Sequence, residues 1–366
     1  MEQLSHMQMQ LGERLRLTLF GTSHGPRVGA LLEGVPKGLR VDETAIAQAM
    51  ATRRPGGRYA SKRKEQDCVE FLSGIVEGKT TGASIELSIE NQDAKSKDYN
   101  FLPHHPRPGH QDMVMHKRTK GEADLRGGGM SSARLTAPLV AAAAFVAPLL
   151  APLGIKAEAQ VGAIGNVEAG EMEHQPARWS TDACKEMRCR DPDAAEAMVN
   201  LVESQRMNLN SIGSRVDLIV TGTPLGLGEP WFDGIEPAMA RAMMSIPAAR
   251  GVTFGRGFNV VNMTGLEHND AWGGSPESPT PLGERPDGVL AGLATSAPIR
   301  CSVAFKPPSS IASEQKTLHL ESGAIEPLTV KGRHDPVLGP RAVAVVEAMA
   351  ILVLTDLALR GGFIDG

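Results

Sequence analysis

The chain has 366 residues, enough for one large domain or two medium ones with an ample core. Hydrophobic content is 41% and charged content 22%, as in ordinary globular proteins, but aromatics reach only 4%, so the core must be aliphatic. Thirty-eight basic and 42 acidic residues leave a net charge of −4, which argues against nucleic acid or a membrane surface as the main partner, because either needs a sustained positive field.

Residues 15–20 alternate (Leu-Arg-Leu-Thr-Leu-Phe) and predict a strand, running into the loop Gly21-Thr22-Ser23-His24-Gly25-Pro26. Residues 28–32 predict a second strand, ended by Gly34-Val35-Pro36. Asp42 is placed to cap a helix over 43–52, which Arg53-Arg54-Pro55-Gly56-Gly57 stops. Residues 69–72 and 85–89 read as strands around glycine turns, and 103–110 as a Pro/His loop. A glycine-rich loop at 126–129 feeds an Ala-rich helix expected from about Ser132. The most apolar stretch, 135–153, contains Pro138, Pro148 and Pro152 and reads as a buried helix rather than a membrane span. Further helices are expected at 192–207, 236–244 and 340–360, and 269–288 reads as a mobile loop. The first ten residues lack an apolar signal segment and are expected to be disordered.

Residues 25–39 align without gaps on 213–227, with seven of fifteen positions identical at a spacing of 188. This is either coincidence among Gly/Pro-rich turns or a duplicated strand–turn–helix unit. The second reading is preferred, and it favours two similar halves sharing one core over two domains joined by a linker.

Several loops pair cations or histidines with rigid or small neighbours. His24 lies between Ser23 and Gly25, so a ligand can approach its imidazole, and a pKa near about 6.5 suits it to proton transfer at neutral pH. The same residue could simply close the turn. Arg107-Pro108-Gly109-His110 can hold a guanidinium and an imidazole rigidly on one side of a loop. Arg126-Gly127-Gly128-Gly129-Met130-Ser131-Ser132-Ala133-Arg134 resembles an anion site at a helix start, without the lysine of a P-loop. Arg53, Arg54 and Arg58 form a local cationic run, with either an anion or solvent as its partner. Lys306-Pro307-Pro308-Ser309-Ser310 and Gly332-Arg333-His334-Asp335-Pro336 repeat the formula of a cation in a fixed turn. Four of the ten histidines (His104, His105, His110, His116) crowd residues 104–116, but their spacing matches no helix or hairpin ligand pattern, so no metal site is expected. The four cysteines show no CxxC and read as free thiols in a reducing cytosol. Together these features point to an enzyme that holds a small, phosphorylated, multiply anionic substrate.

Taken together, the motifs resemble the chorismate synthase family. The matching segments are Gly21-Thr-Ser-His-Gly25, Gly34-Val-Pro36, Arg53-Arg-Pro-Gly-Gly57, Arg107-Pro-Gly-His110 and 126–134, followed by Ala242-Met-Met-Ser-Ile246, Gly251-Val-Thr-Phe-Gly255, Phe305-Lys-Pro307, Gly332-Arg-His-Asp-Pro336, Pro340-Arg-Ala-Val343 and Val346-Glu-Ala-Met349. They run in family order from about residue 12 to 360. The resemblance implies an α/β (α+β) fold, a single-domain β-α-β sandwich over 1–366 with a helical central layer and internal pseudo-duplication. It implies loss of phosphate and a ring proton from 5-enolpyruvylshikimate 3-phosphate to give chorismate, with reduced FMN as cofactor and NADPH or an external source as reductant. It further implies a cytoplasmic homotetramer acting on a small molecule, with no nucleic acid or membrane partner.

By the same resemblance, His24 and His110 are the acid–base pair and Asp335 assists proton removal. Ser23, Arg53, Arg58, Arg107, Arg134 and Arg333 would hold substrate. Met130, Ser131, Ser132, Pro247, Ala248, Ala291, Lys306, Pro307, Pro308, Ser309, Ser310 and Arg333 would contact FMN. Departures from the family pattern fall mostly on this flavin side: Met130 replaces a usual Arg, Leu135 a usual Glu, Pro247 a common Asn, and Ala291 sits where a Gly is expected. Their alternative implication is a divergent, flavin-weak phosphate lyase acting on a related phosphate. A third reading, a non-catalytic anion-binding protein, would make both histidines bystanders.

Overall fold

The computed structural model describes residues 7–54, 67–92, 96–175, 178–330 and 335–365. Alternating aliphatic residues build a first antiparallel sheet from β1 (Arg16–Gly21), β2 (Arg27–Glu33) and β3 (Ile85–Glu90), flanked by the short strands Gln10–Leu11 and Glu70–Phe71. The β2–β3 register sets Val28 opposite Ile89, Ala30 opposite Leu87 and Leu32 opposite Ile85, so one face is wholly aliphatic and buried. A second antiparallel sheet holds β4 (Lys156–Ile164), β5 (Ser214–Thr221), β6 (Ala249–Phe254) and β7 (Ile299–Phe305) in the order β6, β7, β5, β4, with Val167–Glu168 at the far edge.

The principal helices are α1 (Glu43–Arg53), α2 (Asp112–Arg118), α3 (Thr136–Val146), α4 (Pro192–Met207), α5 (Ile235–Ser245) and α6 (Gly339–Arg360). α3 packs on β2 and β3, α6 packs on β4 and β5, and α3 and α6 pack on each other. The result is an α+β fold, a β-α-β sandwich whose helical layer fills the centre. That position explains the apolar 135–153 stretch, since every α3 residue except Ala144 is buried. β2 and β5, the two echoing segments, are the central strands of their sheets, and each leads through a turn into a helix, α1 and α5.

Three expectations differ from the structure. The Ala-rich helix begins at Thr136 rather than Ser132, because Gly127, Gly128 and Gly129 adopt φ of +59°, +91° and +54° and a short 3₁₀ turn over Ala133–Leu135 intervenes. The 269–288 stretch contains a hairpin, Trp272–Ser275 against Ser278–Pro281, whose Gly and Pro residues hide the strand signal. Gln10–Leu11 pairs with Leu17–Thr18 as an edge strand, although the first ten residues are expected to be disordered.

Candidate active site

Loops from both halves meet at one side of the sandwich. The 103–110 loop with the start of α2, the 126–132 turn, the segment after α5, the 306–310 segment after β7 and the approach to α6 line a cleft of about 550 Å³. This lies within the range of roughly 300–1,000 Å³ usual for ligand sites.

Arg107 and His110 share one anchor that the sequence reading does not single out. The Asp112 carboxylate at the start of α2 is fully buried and accepts from Arg107 Nε at 2.7 Å, Arg107 Nη2 at 2.8 Å and the Arg107 backbone N–H at 3.0 Å. His110 Nδ1 lies 2.6 Å from Asp112 Oδ1. Burial alone would raise the Asp112 pKa, but hydrogen bonds and charge from Arg107 and His110 outweigh it and hold the carboxyl well below the usual range. An ionised Asp112 accepts the Nδ1 proton, which leaves Nε2 of His110 as the working nitrogen. Nε2 is turned to the glycine turn, where a Cβ on Gly128 would lie 3.7 Å from it.

His24 stands on the other side of that turn. A Cβ on Gly127 would meet Ser23 Oγ at 2.8 Å and His24 Nε2 at 3.0 Å, so only glycine lets the loops close this tightly. Ser23 fixes the contact by donating its backbone N–H to Gly129 O and its hydroxyl to Arg126 O. The His24 ring meets Tyr99 edge-on at 5.2 Å, and Tyr99 in turn carries the Arg107 guanidinium 5.5 Å from its centre. Gly127 and Tyr99 line the cleft, with His24 behind them. Asp335 lines it too, and Arg341 donates to its carboxylate at 2.5 Å.

Two arginines expected in the anion grip, Arg53 and Arg134, are not among the residues that line this cleft. Arg53 and Arg134 are buried and both pair with Asp67, Arg53 at 3.1 Å. Arg134 also donates to Asn91 Oδ1 at 2.8 Å, and Asn91 Nδ2 donates to the carbonyls of Thr22 and Gly25. Arg134 thus braces the loop that carries His24. Arg58 and Arg333 lie outside the described residues.

Of the expected flavin contacts, Ser131, Ser132, Pro247, Ala248, Lys306, Pro308, Ser309 and Ser310 line the cleft. Lys306 Nζ donates to Gly109 O and to Ser309 Oγ at 3.1 Å, tying the 306–310 segment to the His110 loop. Burial and the nearby charge of Arg250, another cation on the wall, lower the Lys306 pKa. Pro307 follows Lys306 in the same segment. Met130 faces an adjoining apolar groove of about 350 Å³, walled by Leu17, Leu19 and Leu135, which shares Ser131, Ser132 and Pro247 with the cleft. Ala291 is placed apart from both, at φ +52° in the turn between Val289–Leu290 and Leu293–Ala294, whose Gly292 abuts Glu229 and Gly234. Burial pushes the Cys189 and Cys301 thiols up to about 12, so neither offers a thiolate.

Asp112, Asp67, Tyr99 and Arg250 are the additions to the sequence-based set. Asp112 had a faint signal, an acid two residues after His110 at a helix start. The others had none, because their roles depend on partners distant in the chain.

Comparison with known proteins gives one answer. A family model described as chorismate synthase matches residues 15–359. The chain is 46% identical over 353 residues to a chorismate synthase of Aeropyrum pernix, covering 95% of this chain and 92% of that protein. It is 40% identical over 355 residues to one from Methanosarcina mazei, covering 97% of each. A solved structure described as "Crystal Structure of Chorismate Synthase" superposes with a TM-score of 0.72 at 27% identity, over 96% of this chain and 93% of that one.

Proposed function

The chain belongs to the chorismate synthase family, a family of phosphate-eliminating lyases, and on that premise we propose that it converts 5-enolpyruvylshikimate 3-phosphate to chorismate. In this reaction a ring C–H bond breaks, its electron pair enters the new diene, and the C–O bond to phosphate breaks with its pair leaving on phosphate. No net oxidation occurs. The observation that carries the reading is that Asp112 fixes Arg107 and His110 together in one cleft that Ser131, Ser132 and Asp335 also line.

A substrate with a phosphate and two carboxylates suits the cations of that cleft, Arg107, Arg250 and Lys306. Arg107 Nη1 donates to Ser310 Oγ at 3.1 Å, a bond that an incoming anion can replace while Asp112 keeps the other edge in place. His110 and His24 hold the exchangeable protons, one for the departing phosphate and the other for the reduced cofactor. Asp335 assists removal of the ring proton. Arg53 and Arg134 act through Asp67 and Asn91 by holding the His24 loop, and Arg58 and Arg333 complete the grip by family resemblance.

The residues present fit reduced FMN. Lys306, Ser309 and Ser310 offer a cation and hydroxyls, and Ser131 and Ser132 join the cleft to an apolar groove suited to a flat ring system. When bound, reduced FMN supplies a transient electron and a base for the ring proton. A homotetramer in the cytoplasm, its flavin reduced by NADPH or an external donor, belongs to the same proposal. The exposed side chains of Trp231, Phe232, Phe258, Val261 and Leu266 support assembly.

The second reading, a flavin-weak phosphate lyase, is favoured by Met130 in an apolar groove and by Ala291 away from the cleft. Titrating FMN with and without substrate distinguishes the two. Saturable binding tightened by substrate is expected; turnover with no detectable FMN binding would establish the alternative.

A further inference from the structure

The histidines crowded at 104–116 separate in the fold. His110 enters the cleft, while His104 and His105 turn to a hairpin, Gln315–Leu318 against Ile325–Leu328. The hairpin is fixed on the 103–110 loop by two hydrogen bonds to its carbonyls: Leu320 N–H donates to His104 O at 2.9 Å, and the Thr317 hydroxyl donates to Pro106 O. Around these anchors gather three imidazoles and two carboxylates. His104 Nδ1 lies 3.1 Å from Glu321 Oε1, and His105 Nε2 lies 2.8 Å from Glu326 Oε2. The His319 ring, between them, stacks on His104 at 6.0 Å and meets His105 at 4.6 Å. His319 Nδ1 is 4.0 Å from Glu326 Oε1.

These side chains form two triads that share His319, namely His104, His319 and Glu321, and His105, His319 and Glu326. Within each, one ligand atom per residue lies within 4.8 Å of the others. A tetrahedral ion with bonds of about 2.0–2.2 Å needs ligand atoms roughly 3.3–3.6 Å apart. His105 Nε2 lies 2.8 Å from Glu326 Oε2 and His319 Nδ1 lies 4.0 Å from Oε1, on either side of that value, so binding needs side-chain rotation, in which His319 Nδ1 exchanges its contacts with the Ser322 hydroxyl at 2.9 Å and the Ser322 N–H at 3.2 Å for the ion. The inner triad is partly exposed, with 20% of the His319 side chain and 23% of the His105 side chain accessible, while the flanking His104 and Glu321 are more open, so an ion can enter from solvent. A nitrogen-rich set with carboxylates and no thiolate selects zinc-like ions over magnesium or calcium, which favour all-oxygen shells.

We propose that His105, His319 and Glu326, with His104 and Glu321 on the flank, form a binding site for a divalent transition-metal ion of the zinc class. The ion staples the hairpin to the 103–110 loop, which carries Arg107 and His110 immediately beyond the ligands. It is a structural clamp outside the cleft and takes no part in the elimination. The site is invisible to spacing rules because Glu326 lies 221 residues after His105.

The test uses the untagged full chain, stripped with chelator and titrated with Co²⁺, with Zn²⁺ added in competition. Expected are one saturable equivalent, the visible absorption of tetrahedral Co²⁺, and its loss on adding Zn²⁺. His319→Ala and Glu326→Gln should each raise Kd by at least about tenfold, a loss of one or more logarithmic units in affinity. His174→Ala, a highly exposed histidine elsewhere, should change nothing. Zn²⁺ should raise the melting temperature of the parent chain and not of Glu326→Gln, since an ion that binds the folded state stabilises it. Should His319→Ala fail to fold, Glu326→Gln, a near-isosteric surface change, carries the comparison. The proposal is overturned if no saturable binding appears, or if Glu326→Gln binds Co²⁺ as tightly as the parent.

Discussion

Replacing Asp112 by Asn removes one charge and almost no volume from the wall that holds Arg107 and His110. Asp112 accepts from three groups of Arg107 and faces His110 Nδ1, using both oxygens. Asn has one acceptor oxygen, so its amide N–H₂ must face a donor of Arg107 or of His110. The buried Arg107 guanidinium, 4% exposed, then loses its counter-charge. Removing one member of a buried pair costs about 3–5 kcal/mol. His110 also loses the acceptor that fixes its tautomer, so turnover should fall roughly 10²–10⁴-fold, the worth of a positioned acid–base group. The pH dependence has a definite sign. The folded Asp112 pKa is depressed, so its stabilisation is complete above the unfolded value of about 3.9 and is lost as pH falls below it. Thermal melting from pH 3 to 8, with steady-state turnover at neutral pH, reads both effects. Asp112→Asn should melt lower at neutral pH and lose the acid-side slope that the parent shows. Parent-like melting and turnover within about twofold would refute the shared-anchor argument.

Gly127→Ala places a Cβ against Ser23 Oγ and His24 Nε2 at a φ of +59°, so it should cost about 1–2 kcal/mol from the backbone alone and displace His24. Melting and turnover should fall together, and a fully active variant would disprove the wedge role of the glycine turn. Arg134→Ala should destabilise by about 3–5 kcal/mol because Asp67 loses a buried partner, and Arg134→Lys should not restore it, because lysine lacks the fork that also reaches Asn91. Chemical denaturation checks this, and a loss of substrate affinity with no change in midpoint would assign Arg134 to substrate instead. Lys306→Met should weaken FMN binding at least tenfold while moving the melting temperature little, about 1.4 kcal/mol or more of binding energy. In the parent, FMN affinity should decline with rising pH earlier than an ordinary lysine pKa of about 10.4 dictates, because burial and Arg250 favour neutral Lys306. Fluorescence titration of FMN against pH decides it, and a flat profile would exclude Lys306 as the cationic contact.

The elements with strong local signals are the ones the sequence makes legible. Asp42 caps α1 by accepting from Ala45 N–H, and Asp191 with Pro192 starts α4 by accepting from Ala194 N–H. The period-two pattern of 15–20 and the apolar run of 28–32 both appear as strands whose buried residues, Leu17 and then Val28, Ala30 and Leu32, belong to the core. In β7 the same alternation, Ile299, Cys301, Val303 and Phe305, is buried, but it lies among Gly- and Pro-rich neighbours and resists reading in isolation. The site divides in the same way. Cations in fixed turns are visible as a class, whereas a buried acid such as Asp67 or Asp112 looks like any surface carboxylate until the fold shows what surrounds it. Spacing cannot separate Arg107, which reaches the cleft, from Arg134, which is held by Asp67, because each is a cation in a glycine-containing motif and only the fold shows which acid it meets. The metal-type cluster is hidden for the same reason, since three of its five residues, His319, Glu321 and Glu326, come from the 315–328 hairpin.

We propose above all that the cleft fixed by Asp112 performs a redox-neutral elimination of phosphate with reduced FMN. Anaerobic incubation of the full chain with 5-enolpyruvylshikimate 3-phosphate, with and without reduced FMN, tests it most directly when chorismate and inorganic phosphate are measured together. Equal amounts of the two products, formed only when reduced FMN is present, are predicted. Saturating substrate and reduced FMN giving no chorismate, or phosphate released without it, would contradict the assignment.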